Sequence, residues 1–569
     1  MSIIRGYWNG SFAHAPVTLP GGQGDEARIC APGFAAAYSG PHAHCHENPR
    51  ATHLSLSVAG LTDCPDLEIE LTNDCLRLRR DAFGRATLFW YARNGAIYFA
   101  TRLTELLRMR AVETTVSAAG LYAYTSFSWI PAPLTPLQDV FAVPAGAELC
   151  WRAANTAPVL TTRERFQAGA ATEINEEPVA VRQLQDLLAQ STARQLAGIG
   201  REPVGVFLSG GLDSAITAAA LVRAGARVRA YTLDFGAYGL PEMPQAESVA
   251  QYLGIPLIKV EATPRRIRQA LRATTHALDL PYGDGVTAPL YLLGEVAARE
   301  VSIVFNGEGG DQLFAGWTNK PIIAAGVYET SHPAGDDFDK AYLRTFHRLL
   351  GCEEAVFTPA FRRQITGIDP GSWIAAATAG EAGHSLLRRL RRANLMLKGA
   401  QNIQPRAAGL ALAQCLRQRT LFCDHALAAW TFSVADELYL RGPCEKYLLK
   451  RAVESWLPAD IVWRGKRGMG APLTEWTLGP LWRELGRWLK PGALRSGGVF
   501  QPDLPLRIAT GQFHGQMRGR RIGEILWLLL MWQVWRGGIA LSPLPGQSAA
   551  SLYNPFWLPP RVWQSFSGA

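Results

Sequence analysis

The chain is poor in cysteine. Nine occur among 569 residues, an odd number scattered from Cys30 to Cys444 with no Cys-x-x-Cys pair. A disulfide framework is therefore not expected, and a reducing, cytoplasmic setting is. Long apolar runs are missing as well. The most apolar stretch, Ile525 to Trp532, falls far short of the roughly 20 residues that a membrane span needs, so it is expected to be a buried helix. The first residues, Met1-Ser-Ile-Ile-Arg-Gly-Tyr-Trp, carry no apolar signal-peptide core. Internal repeats and low-complexity tracts are lacking too, which excludes a solenoid or a fibrous chain. Charged residues are sparse at 18% and hydrophobic ones make up 48%, which excludes global disorder. The charge excess is mild, +9 from 57 Lys and Arg against 48 Asp and Glu. Such an excess suits anionic ligands such as a nucleotide or pyrophosphate. It is too diffuse to specify a nucleic-acid partner, and none is expected.

A chain of this length exceeds one ordinary domain. The first ~150 residues read as β-rich. Leu67-Glu-Ile-Glu-Leu and Cys75-Leu-Arg-Leu-Arg alternate apolar and polar residues, and Gly95 to Ala100 is a further short strand. Short helices are expected over Thr104 to Met109 and Ser117 to Tyr124. Residues 152–180 hold no sustained period and read as the connection, giving domains over 1–165 and 176–569. Glu176 to Leu196 has helical spacing. From Val204 the pattern becomes strand, glycine turn, helix, with strands over Val204–Leu208, Arg227–Leu233, Leu257–Val260 and Ser302–Asn306. Helices alternate with them, which specifies an α/β parallel sheet covered on both faces. From Gly316 onward the chain reads as mostly helical.

Phe207-Leu208-Ser209-Gly210-Gly211-Leu212-Asp213-Ser214 lies between an apolar strand and a helix. Two glycines let the backbone turn tightly and point N–H groups into one concavity, and the helix start adds its positive dipole end, so the loop can cradle an anion. Ser209 and Ser214 add hydroxyls. Asp213 beside such a cradle suits magnesium, which joins phosphates to a few carboxylates. The loop is not Gly-x-x-x-x-Gly-Lys-Ser/Thr, so a P-loop kinase is excluded.

Ser209 to Ser214 resembles the pyrophosphate loop of ATP pyrophosphatases. Phe305-Asn-Gly307-Glu308-Gly-Gly-Asp311-Gln312-Leu-Phe-Ala-Gly-Trp317 resembles the Gly-Glu-Gly-Ala-Asp-Glu-Leu-Phe motif of the asparagine synthetase family, with Gln312 in place of its Glu. Lys446-Tyr-Leu-Leu-Lys-Arg, Arg464-Gly-Lys466 through Pro472, and Arg419 to Asp424 resemble further motifs of that family. The resemblance implies ATP and Mg2+ as cofactors, Asp213 and Asp311 as metal ligands, and Glu308 as a catalytic residue facing the α-phosphate or the amine. It implies Lys466 on the pyrophosphate and the developing oxyanion, with Leu208, Leu233 and Gly307 at the adenine pocket beside Ser209, Gly210, Gly211 and Ser214. Asp424 reads as structural.

The first half resembles the glutamine amidotransferase half of the same family, an αββα-type sandwich, through Asp81-Ala-Phe-Gly-Arg85, Phe127-Ser-Trp-Ile-Pro131 and Pro144-Ala-Gly146. Glutamine-hydrolysing members carry a nucleophilic Cys at position 2. Here that residue is Ser, which lacks a thiolate, so a degenerate domain without glutaminase activity is expected. The amine must then come from a substrate. Lasso peptide cyclases and β-lactam synthetases are members of this kind. Ala408, Gly409 and Arg417 depart from the asparagine synthetase pattern and disfavour aspartate. The reading adopted is a lasso peptide cyclase, or macrolactam synthetase. It takes a precursor core peptide as substrate, with a leader peptidase and a leader-binding protein as partners. Tyr282, Asp284 and Thr287 are candidate substrate contacts. A ligase for a small amino-acid-like substrate and a nucleotide-binding scaffold are the alternatives. His42-Ala-His-Cys-His46 fits no zinc template and reads as a loop. The helix over Leu386–Lys398 places Arg388, Arg389, Arg391 and Arg392 on a solvated face. Most of the 17 tryptophans read as core, with a few available to a groove.

Overall fold

The computed structural model describes residues 3–8, 27–31, 34–39, 43–48, 53–58, 65–72, 75–109, 114–152, 157–162, 166, 173–238, 243–316, 338–339, 342–343, 346, 349, 351–379, 384–465, 470–513, 520–539 and 554–562. The first half is a sandwich of two antiparallel sheets. Its strands are β1 (Ile3–Trp8), β2 (Ala27–Ala31), β3 (Phe34–Ser39), β4 (Ala43–Asn48), β5 (His53–Val58), β6 (Leu67–Leu71), β7 (Cys75–Arg80), β8 (Phe89–Arg93), β9 (Ala96–Ala100), β10 (Val140–Ala142), β11 (Ala147–Arg152) and β12 (Val159–Thr162). One sheet runs β10-β8-β9-β1-β3-β2 and the other β12-β11-β7-β6-β5-β4.

The alternation in Leu67-Glu-Ile-Glu-Leu sets the packing. Leu67, Ile69 and Leu71 point into the sandwich with Trp8, Phe34 and Phe99, and Glu68 and Glu70 point away. On that outer face Arg79 bridges Glu68 at 2.9 Å and Glu70 at 2.8 Å. The opposite outer face, of the sheet holding β3 and β8, buries Ala35, Phe89 and Tyr91 in the larger core shared with the second half. Leu103–Arg108 and Ala118–Phe127 are the helices of this half, and among the described residues only one side of the sandwich is covered.

The second half is built on β13 (Val204–Phe207), β14 (Val228–Asp234), β15 (Leu257–Glu261), β16 (Ile303–Phe305) and β17 (Arg417–Arg419). All pairs are parallel, in the order β15-β14-β13-β16-β17. Ile303, Val304 and Phe305 are all buried, the pattern of a strand covered on both faces. The chain winds outward from β13 to β15, then crosses to the other side for β16. The carboxyl ends of β13 and β16 therefore flank the switch point where such sheets bind ligands.

Several expectations are corrected. The connection over 152–180 contributes an exposed edge strand, β12, because its residues pair with β11 through backbone bonds that need no apolar side chains. The Arg-Gln-Arg of β17 is a strand of the sheet although it carries no strand signal. His44 to His46 lie in strand β4, not a loop, while His42 is outside the described residues. The helix from Leu386 is α-helical to Ala393, π-helical over Asn394–Ile403 and α-helical again over Gln404–Ala413. Its arginine face is only partly solvated, with Arg388 and Arg389 half-buried and Arg391 and Arg392 in the core. Arg391 is 1% exposed and donates to the carbonyls of Leu313 at 3.0 Å and Thr431 at 2.7 Å. Arg392 is equally buried, donates to Phe166 O and lies over the Phe432 ring. A guanidinium can enter a core when carbonyls and ring faces replace its water. The apolar stretch at 525 is a buried helix, Arg520–Gly538, and no described helix is long and apolar enough to cross a membrane.

Candidate active site

Two loops leave the sheet side by side. The first follows β13 and runs from Leu208 into the helix Leu212–Arg223. Its hydroxyls hold the turn: Ser209 Oγ and Ser214 Oγ are 3.2 Å apart, and Ser214 Oγ donates to Gly211 O at 3.0 Å. The second follows β16. Asn306 Oδ1 accepts the Glu308 N–H at 3.2 Å, and Thr420, just past β17, donates to Glu308 O at 2.6 Å. The fifth strand thus anchors the second loop.

Glycine allows the loops to meet. A Cβ on Gly310 would lie 2.6 Å from Asp213 Cγ, and one on Gly316 would lie 1.7 Å from Lys446 Cε. With both positions open, Lys446 reaches between two carboxylates. Its Nζ lies 2.6 Å from Asp213 Oδ2 and 2.5 Å from Asp311 Oδ1. Lys446 is 2% exposed and sits at φ 56° before the helix Tyr447–Val453. Burial alone would lower its pKa, but Asp213 and Asp311 outweigh burial and hold it above the ordinary lysine value.

The loops open on a cavity of about 500 Å³ lined by Ser209, Gly211, Asp213, Ser214, Gly307, Glu308 and Asp311. That size falls in the range of about 300–1,000 Å³ usual for ligand sites. Arg464 and Gly465 line it before the Lys466 loop and Ala471 after it, while Lys466 itself lies outside the described residues. Arg464 donates to Gly210 O.

The remaining expected residues fall partly on the cavity and partly away from it. Leu208 is buried beneath the loop, and Leu233 sits near the end of β14. Neither is on the described wall. Asp284 lines the cavity and pairs with Arg406. Tyr282 does not: it is buried against a separate small cavity beside Arg80 and Gln401. Thr287 is fully buried and donates to Asp284 Oδ1, so it orients Asp284 and faces no substrate. Trp527 Nε1 donates to Asp284 O and Trp535 Nε1 to Asp279 O, both at 3.0 Å. Those tryptophans brace the loop, and Trp535 also lines a separate cavity with Trp488, away from the two loops. Asp424 caps the helix His425–Thr431 and pairs with Arg194, as a structural residue does. The convergence of Lys446 on both aspartates was not readable from the motif that contains it; a lysine just before a helix was the only local signal.

The profile of the asparagine synthase family matches residues 183–537, and that of the glutamine amidotransferase domain matches residues 69–163. A Mycobacterium tuberculosis (strain ATCC 25618 / H37Rv) protein, provisionally named as a glutamine-hydrolysing asparagine synthetase, is 26% identical over 428 residues, or 70% of this chain and 65% of its own length. Asparagine synthetase [glutamine-hydrolyzing] 1 of Bacillus subtilis (strain 168) is 23% identical over 72% of this chain and 67% of its own. The chain thus spans less than two thirds of the mycobacterial relative. Among solved structures, an NH3-dependent NAD synthetase from Campylobacter jejuni subsp. jejuni NCTC 11168 is 16% identical over 33% of this chain and 92% of its own, with a TM-score of 0.18. With the first profile covering well over half of its residues, the chain belongs to the asparagine synthase family.

Proposed function

We propose that this protein is an ATP-dependent amide-forming ligase, and that its substrate is a peptide on which it closes a macrolactam. The observation that carries the ligase reading is the convergence of the β13 and β16 loops on Lys446 at one open cavity. A substrate carboxylate oxygen attacks the α-phosphorus of ATP, and the bond to the bridging oxygen of the β-phosphate breaks. The products are an acyl-adenylate and pyrophosphate. An amine nitrogen then adds to the acyl carbon and loses a proton, and AMP leaves with the electron pair of the broken C–O bond.

In this reading the N–H groups of the Ser209–Ser214 loop, at the start of a twelve-residue helix, hold the pyrophosphate. Asp213 and Asp311 would hold magnesium. Both already close on one cation, Lys446, and two converging carboxylates are a donor set that magnesium takes beside phosphate oxygens. When bound, magnesium supplies positive charge that offsets the phosphates. Glu308 lines the cavity, and in this reading it takes the proton of the amine. Lys466 is assigned to the developing oxyanion by its motif, in a loop whose flanks line the cavity.

The macrolactam form rests on residue types. Position 2 is Ser, so nitrogen arrives with a substrate and not from glutamine. Ala408 and Gly409 stand where asparagine synthetases carry Asp-Lys, and Ala407, Leu410 and Ala411 give the cavity a small, apolar stretch of wall. The buried state of Arg391 and Arg392 removes them as peptide contacts. Purified protein with ATP, magnesium and a candidate precursor peptide is expected to release pyrophosphate and to yield a peptide lighter by one water. Release with only a small amino acid would replace the peptide by that substrate. No release with any carboxylate would leave a nucleotide-binding scaffold.

A further inference from the structure

The catalytic cavity is closed on one side by the first half of the chain. Phe127, Ser128 and Trp129, at the end of the helix Ala118–Phe127, line it together with Phe346. The rings form one patch: Phe127 lies 5.3 Å from Trp129, and Trp129 lies 5.3 Å from Phe346 at 89°. Ser128 O accepts the Gly283 N–H at 2.8 Å, which fixes this strip to the loop carrying Asp284.

Two polar atoms in the strip are left over. Among the described residues Ser128 Oγ and Trp129 Nε1 have no hydrogen-bond partner, although each residue is only 3% exposed. Ser128 ends the helix in the left-handed conformation, φ 74°, with its N–H donating to Tyr124 O at 2.8 Å, and so holds the strip at a fixed angle to the cavity. Buried donors without partners are costly, and beside a cavity a ligand can complete them. An indole N–H can only donate, so its partner must be an oxygen acceptor. The ring faces beside it take an apolar or aromatic side chain. Ammonia offers neither.

We propose that Ser128 and Trp129 form a substrate-binding wall, supplied by the first half, that accepts a peptide carbonyl flanked by an apolar or aromatic side chain. This rests on the ligase reading for the identity of the cavity, and it makes the degenerate half a specificity element. Both atoms are sealed from solvent in the free chain; on binding, the hydroxyl and the indole N–H turn to the carbonyl oxygen, and Phe127 and Phe346 hold the neighbouring side chain.

The probes are N-terminally free pentapeptide amides, each with one Asp or Glu beside an aromatic residue. With full-length protein labelled with 5-fluorotryptophan, the resonance lost in Trp129→Phe is assigned to Trp129, and it should shift on titration with a bound probe. Calorimetry should show the Kd for that probe raised about tenfold in Ser128→Ala and in Trp129→Phe, one hydrogen bond each, with the ATP Kd unchanged. No shift with any probe at millimolar concentration, or an unchanged probe Kd in both variants, would overturn the wall. A shift without pyrophosphate release would keep the wall and overturn the ligase reading.

Discussion

The Lys446 ammonium lies 2.6 Å from both carboxylate oxygens of Asp213, although the two residues are 233 positions apart. With Asp311 at 2.5 Å, one buried cation holds the two acids that the loops bring together. Unpaired, those carboxylates would repel each other at the mouth of the sheet.

Lys446→Met should therefore destabilise the protein by about 3–5 kcal/mol, the usual result of removing one partner of a buried charge cluster. Chemical denaturation reads the loss. Millimolar magnesium should restore part of it if Asp213 and Asp311 bind the ion, and an identical midpoint with and without magnesium would count against that pair as ligands. Asp213→Ala should abolish turnover, and full activity in that variant would remove Asp213 from the metal assignment.

Gly310→Ala tests the close approach of the loops. Its Cβ would sit 2.6 Å from Asp213 Oδ1, on a carboxylate that Lys446 holds in place. A stability loss of about 1–3 kcal/mol is expected, as for other overpacked sites. Pyrophosphate release should fall further than stability, because the displaced group is part of the site. Gly200→Ala, with open space around it, should stay within about 0.5 kcal/mol of wild type. Equal effects of the two substitutions would refute the packing role of Gly310.

Arg391→Met removes the donor to the Leu313 and Thr431 carbonyls. Each orphaned acceptor costs about 1–3 kcal/mol. A solvated arginine would instead give a change within about 0.5 kcal/mol. Thermal and urea unfolding of this single variant separates the two cases.

Nitrogen transfer is tested with glutamine labelled at its amide. No label should enter the product, and neither glutamine nor ammonium should raise the rate of pyrophosphate release. Labelled product would restore a glutaminase to the first half.

Local chemistry made much of the fold legible in the chain. Val204 to Ser214 reads as strand, turn and helix because an apolar run, two glycines and a helix start follow one another within bonding distance. Leu67-Glu-Ile-Glu-Leu reads as a half-buried strand because its period is two, and the structure buries alternate residues in that order. The loops at Ser209 and Glu308 were both placed after strands, which is enough to put them at one edge of a parallel sheet. What a side chain meets across that edge is another matter. Arg417-Gln-Arg has no strand pattern, and only pairing with β16 makes it one. Arg391 and Arg392 follow the spacing of a solvated stripe, yet carbonyls from Phe166, Leu313 and Thr431 arrive from distant segments to take their protons. Lys446 and the Ser128–Trp129 strip acquired their surroundings in the same way. Periodicity and turn chemistry act between near neighbours and are written in order along the chain. Burial, charge pairing and the lining of a cavity are set by residues hundreds of positions apart, and only packing brings them together.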